Sequence, residues 1–250
     1  MGEVRVEVGD DFVATVEMCR GPNNFFNAAV IGEMADAYER LDADDRCRAI
    51  VLCSEGKHFC AGAELGGGRE LGARDLYREG LRLFAAGLPV VAAVQGAAVG
   101  GGLGLALSAD FRVASAESRF TANFARLGFH QGFGISVTLR DAVGQQAATE
   151  LLLTGQRIDG EAAKAIGLVD RLVATDEIRR SAHALALELA ASAPLAVRAV
   201  RATLREGLVE RVRGAMAHER EEQDRLAATA DFREGVRASS ERREPRFTGS

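Results

Sequence analysis

Apolar and polar residues alternate at the start of the chain, with Val4, Val6 and Val8 on one side, and then Val13 and Thr15 opposed to Ala14, Val16 and Met18. This period of two predicts a pair of strands joined at Gly9-Asp10. From Asn27 the period lengthens, because Ile31, Met34, Ala35, Tyr38 and Leu41 fall on one face of a helix that Asn27 is placed to cap. The pattern then recurs. A strand over Ala49 to Cys53 leads into a glycine-rich loop, a helix near Asp75 to Ala86, a strand over Val90 to Val94, a glycine-led helix from about Gly101 and a strand near Phe111 to Ala114. Such alternation predicts an α/β fold with sheets covered on their faces. After about Asp176 the strand signal stops, and Leu185, Leu189, Val197, Val200 and Leu204 recur at helical spacing. Two parts are therefore expected, a core over 1–175 and a C-terminal helical segment over 176–250, with no flexible linker between them.

The stretch from Leu83 to Ala109 carries no charge and is long enough to cross a bilayer. Pro89 and the glycines at 87, 96, 100, 101, 102 and 104 interrupt it, and Val90 to Val94 has the look of a buried strand, so no membrane span is expected. Composition narrows the classes further. With 250 residues and 47% of them apolar, the chain can bury a full core. Its net charge of -5 is spread over interspersed acids and bases, which leaves no basic stripe for nucleic acid. The cysteines Cys19, Cys47, Cys53 and Cys60 form no CxxC pair and have no histidine at metal-ligand spacing, so reduced, mostly buried thiols and no metal are expected. The N-terminus has no basic segment followed by an apolar one, and Val6 stands where a myristoylation signal needs Ser or Thr, as expected of a cytoplasmic protein.

Chemistry concentrates in two loops, "GKHFCAGAEL" at 56–65 and "QGAAVGGGLGLALSAD" at 95–110, each following a short apolar strand. Glycines let a ligand approach the main chain, and a helix starting in the second loop directs free N–H groups outward. The same glycines also serve tight turns and helix packing, and from composition alone the two readings stand level. A dinucleotide fingerprint is not matched, since Leu105 stands where a third glycine would follow Gly100 and Gly102.

The segment from Pro22 to Ala28, "FCAGAEL", "GGGLGLALSADFRVAS", "LLLTGQRIDGEAAKAIGLVDRLV" and the ending "DFREGVRASSERREPRFTG", in this order, resemble the crotonase (enoyl-CoA hydratase/isomerase) superfamily over nearly the whole chain. The resemblance implies a spiral of ββα units with a C-terminal helical trimerisation segment, assembly as a homotrimer or a dimer of trimers, and binding of acyl-CoA, with coenzyme A entering as part of the substrate and no separate cofactor. It implies an oxyanion hole made by the N–H groups of Ala63 and Gly101, flanked by Ala61, Gly62, Glu64, Leu65 and Gly100. Two preoriented donors of this kind stabilise the charge that a thioester oxygen gains as an enolate or tetrahedral species forms.

The resemblance also shows a departure. Hydratases of the family carry one glutamate two residues after the triple glycine and a second about twenty residues later, and here those positions are Gly104 and Phe124. Neither side chain transfers a proton, so hydration by that pair is not expected. His130 stands close to where other branches of the family place an aspartate and is a candidate base, or else a histidine packed inertly before the helix at Ile135. Gln131 and Asn123 are polar neighbours able to orient water or substrate. Glu64 is expected to support the first loop by accepting backbone N–H groups, Asp110 is expected to be structural, and His58, beside Lys57, is expected on the solvent side. For coenzyme A the family uses an aromatic residue and a lysine of the final helix, where this chain has Ser239 and Arg242; Arg242 suits a phosphate, or is a solvated charge. The readings carried forward are an acyl-CoA lyase or isomerase, a CoA-thioester hydrolase or decarboxylase, and a catalytically silent acyl-CoA-binding partner subunit.

Overall fold

The computed structural model describes residues 2–64 and 72–250, and side chains from 76 onward in the second stretch. Leu65 lies outside the described residues. The opening alternation forms β1 (Val4–Val8) and β2 (Val13–Met18), an antiparallel pair with Val4 opposite Met18 and Val8 opposite Ala14. Helix α1 (Ala28–Asp42) follows, and the side chain of Asn27 accepts from Val30 N at its first turn, as the sequence predicts.

Strands β3 (Ala49–Ser54), β4 (Val90–Val94), β6 (Phe111–Ala114) and β9 (Arg171–Leu172) extend the sheet in parallel, giving the order β1-β2-β3-β4-β6-β9. A smaller sheet joins β5 (Ala97–Val99), β7 (Arg119–Thr121) and β8 (Arg157–Asp159). Between the strands run α2 (Gly72–Phe84), α3 (Gly101–Ser108), α4 (Ile135–Thr154) and α5 (Gly160–Ala165). The C-terminal segment holds α6 (Ile178–Ala190), α7 (Pro194–Leu204), α8 (Leu208–Ala227) and α9 (Ala230–Glu241).

Parallel strands are buried on both faces, which is why β3 is apolar from Ala49 to Cys53. Its Ile50 and Leu52 join the core shared with α1, while Ala49, Val51 and Cys53 face a second core. Helix α6 supplies the other side of that second core with Ile178, Ala182, Leu185, Ala186 and Ala190. Residues 178–190 of the C-terminal segment thus form a layer of the sheet's packing, while α8 packs on α2 and α4. Arg201 and Arg205, at the end of α7 and just beyond it, both bond the carboxylate of Asp110 at 2.8 Å, and Asp110 also accepts from Val90 N. The structural role expected of Asp110 is therefore met. Among the described residues no single helix is long and apolar enough to cross a membrane, and the uncharged stretch divides into β4, β5 and α3 of the core.

Candidate active site at the paired loops

The two glycine-bearing loops meet side by side. The first runs parallel to Phe26, which donates to the Gly62 carbonyl at 3.0 Å and accepts from Glu64 N at 2.9 Å. Gly62 and Glu64 thereby turn their bonding groups toward Phe26, and the N–H of Ala63 between them faces away. It faces Gly101: a Cβ built on Gly101 would stand 3.5 Å from Ala63 N, and one on Gly62 would stand 4.0 Å from Gly101 N. Gly62 holds φ +114, a conformation only glycine adopts freely, so the turn that aims Ala63 depends on that residue. Gly101 opens α3, where an N–H has no partner within the helix. Neither Ala63 N nor Gly101 N has an acceptor among the described residues. Two main-chain donors converge on one small volume, beside the positive end of α3.

Close packing fixes this arrangement. A Cβ on Gly102 would collide with the carbonyl oxygen of Cys60, and one on Gly101 would lie 2.7 Å from Cζ of Phe26. The loop itself is stapled from below by Asn24, which is fully buried and donates to the carbonyls of Glu55 and His58 at 2.7 Å each while accepting from Arg20 N. Cys60 is buried within the loop, and burial pushes its thiol up to about 12, so it stays protonated near neutrality. All four cysteines are free, as expected, and three of them are buried.

Beside these donors, Gly100 faces the ring of Phe124, whose Cζ would lie 3.5 Å from a Cβ there, with Asn123 Oδ1 at the same distance. Ala61 precedes Gly62 in the first loop, with its N–H bonded to the Asn23 carbonyl. Gly104, one turn into α3, is buried beneath Phe133. Glu64 supports the loop by a different route from the one expected. Its carboxylate accepts from Arg20 at 2.6 Å and Asn27 at 3.2 Å, side chains rather than backbone N–H groups, because it points outward across the Phe26 pairing. His58 is half-buried rather than on the solvent side, since its ring packs against Gly96; burial first, and then Lys57, depress its pKa. With Lys57, Gln95, Arg119, Arg157 and Arg179 it lines a cavity of about 680 Å³ that includes neither Ala63 nor Gly101.

The turn carrying His130 and Gln131 is held by α8. Nδ1 of His130 lies 2.8 Å from the Gln131 carbonyl, which only accepts, so Nδ1 carries a proton and the neutral ring has its acceptor at Nε2. The His130 ring packs edge-on against His218 of α8 with centroids 5.8 Å apart, and no described contact joins it to Ala63, Gly101 or Phe124. Gln131 donates to Ser136 Oγ. Arg242 sits in the left-handed cap that ends α9, exposed, and its guanidinium has no partner among the described residues.

Two residues of this turn's support were not singled out from the sequence. Glu219 is fully buried and accepts from Gly134 N at 2.8 Å and Ser136 N at 3.0 Å, which satisfies the first turn of α4. Gln223 donates to the carbonyls of His130 and Gln131 and accepts from Tyr77 Oη. Glu219 sits in the charged run "HEREEQ", which suggests a solvated face, yet it continues the buried stripe of Val212 and Met216 at helical spacing. That register was the available signal.

The enoyl-CoA hydratase/isomerase family model matches residues 9–250. A protein of Thermus thermophilus is 39% identical over 229 residues, covering 86% of this chain and 88% of its own. The short-chain-enoyl-CoA hydratase of Clostridium acetobutylicum is 31% identical, covering 88% and 87%. The crystal structure of an enoyl-CoA hydratase/isomerase from Pseudoalteromonas atlantica superposes with a TM-score of 0.89 at 30% identity, over 99% of this chain and all of that one. A match across the whole described fold, together with two unpaired N–H groups meeting between the loops, places the chain in the crotonase superfamily, as a member of the enoyl-CoA hydratase/isomerase family.

Proposed function

We propose that the chain is an acyl-CoA lyase or isomerase that draws the thioester carbonyl oxygen between Ala63 N and Gly101 N. The observation that carries this reading is the convergence of those two donors with no acceptor of their own. As the α-proton leaves or a nucleophile adds, negative charge moves onto the oxygen, and each donor is worth about 3 kcal/mol to that charge in a water-poor site. The side chains at 104 and 124 hold no exchangeable proton. Proton transfer by two glutamates, the route the resemblance implies for hydratases, therefore has no groups at these positions.

His130 is the candidate retained for a base, with Nε2 free to accept a proton. Arg242, unpaired at the end of α9, suits a phosphate of coenzyme A. Exposed Leu195, Val200 and Leu204 along α7 support assembly with further copies of the chain as a trimer or dimer of trimers.

The test is an assay of purified protein on crotonyl-CoA and a panel of β-keto and malonyl thioesters, with binding followed by calorimetry. Binding and turnover that fall at least a hundredfold when Gly102→Ala displaces the loop fit the proposal. Absence of binding by every CoA thioester would sink it, and hydration of crotonyl-CoA at full rate by a His130→Ala variant would remove His130.

A further inference from the structure

Phe133 is a ring in an unusual place. It lies between Gly132 and Gly134 with φ +60, a left-handed conformation that phenylalanine adopts only where the surroundings compel it. The backbone turn sends the ring inward instead of toward solvent, and Phe133 is 2% exposed. Its edge enters a slot left by two glycines on different helices. A Cβ on Gly104 of α3 would lie 2.9 Å from Cβ and 3.1 Å from Cδ1 of Phe133, and a Cβ on Gly80 of α2 would lie 3.0 Å from Cε2. The ring also packs on Phe26 at 5.2 Å and Phe84 at 6.3 Å between centroids.

This slot neighbours the pair of donors. Phe26 lies against Gly101, and Gly104 is three residues further along the same helix, so Phe133 lies about one helical turn from Gly101 and packs on Phe26. Phe124 borders Gly100 on the other side. Three aromatic rings, Phe26, Phe124 and Phe133, thus lie around the donors and the start of α3, and Phe133 is held by a strained turn that α8 clamps through Glu219.

We infer that Phe133 is a specificity-determining residue that blocks the inner end of the acyl pocket and restricts the chain to short or compact acyl groups. The inference rests on the acyl-CoA reading above. Its physical content is that an acyl chain starting at the hole meets the Phe133 ring where α2 and α3 come together. Removal of the ring leaves an apolar cavity lined by Gly80, Phe84 and Phe26, and cavities of that kind accept apolar groups. Each methylene newly buried multiplies affinity roughly fourfold.

The experiment measures binding of butyryl-, hexanoyl- and octanoyl-CoA to the full chain by calorimetry, for wild type and for Phe133→Ala, Phe133→Leu and Gly80→Ala. Phe133→Ala is expected to raise the octanoyl-to-butyryl affinity ratio at least tenfold, by admitting two or three methylenes. Phe133→Leu, a smaller change that protects folding, is expected to raise it a few fold. Gly80→Ala pushes the ring toward the hole and is expected to lower it. An unchanged ratio in both folded Phe133 variants overturns the inference while leaving the acyl-CoA reading intact. Failure of wild type to bind any of the three overturns that reading and the inference with it.

Discussion

Two regions bordering the proposed site are built by different means. On one side, the loops around Ala63 and Gly101 offer main-chain N–H groups, and their side chains matter by being absent: Gly102 would otherwise strike Cys60, and Gly101 would strike Phe26. On the other side, the turn from His130 to Ser136 is shaped by side chains reaching across from α8, with Glu219 and Gln223 bonding its backbone. The first region is therefore sensitive to any added volume and indifferent to chemical identity. The second is sensitive to the loss of single polar atoms. Glu219 and Gly134 are 85 residues apart in the chain, whereas Ala63 and Gly101 come from loops that each follow a strand of their own.

The sharpest break in this comparison is Gly102→Ala. The new methyl meets the Cys60 carbonyl, a backbone atom that cannot swing aside, so the loops must part. On the proposed function, thioester turnover is expected to fall by a hundredfold or more, since one oxyanion donor is worth about 3 to 4 kcal/mol. Circular dichroism unchanged beside that loss would locate the effect in the hole.

Glu219→Ala acts on the second region and is next in size. It strands the buried Gly134 N–H and the part-buried Ser136 N–H, each costing up to about 1 to 3 kcal/mol, and a drop in unfolding free energy of about 3 kcal/mol is expected in urea. Glu219→Gln retains one acceptor and should recover about half of that loss. Equal losses for Ala and Gln would mean that the carboxylate does not serve both N–H groups.

Glu64→Ala is the smallest. The carboxylate is partly exposed, and its pair with Arg20 is of the kind that contributes less than about 1 kcal/mol. Thermal unfolding should shift by no more than a few degrees. A larger fall would show that Glu64 holds the first loop more firmly than its side-chain contacts suggest.

Much of the architecture was legible in the order of residues. Period two at Val4 to Met18, the helical face from Ile31 to Leu41 capped by Asn27, and the apolar run from Ala49 to Cys53 are local patterns, and each formed the element it predicted. The two loops were legible too, because the signal for close main-chain approach is the run of glycines itself. Less legible was what each charged residue does. Glu64 was expected to bond backbone and instead bonds Arg20 and Asn27; His58 was expected outside and is half-buried.

By itself, the sequence determined the strands, the helices and the paired loops, since hydrophobic period and glycine placement act over a few residues. Only the tertiary structure decided that Asn24 staples the first loop, that Glu219 in a charged run is buried, and that Phe133 turns inward beneath Gly104. Those outcomes depend on which surfaces meet after folding. A buried carboxylate is stable where two N–H groups await it, and nothing within a few residues of Glu219 says that α4 will bring them.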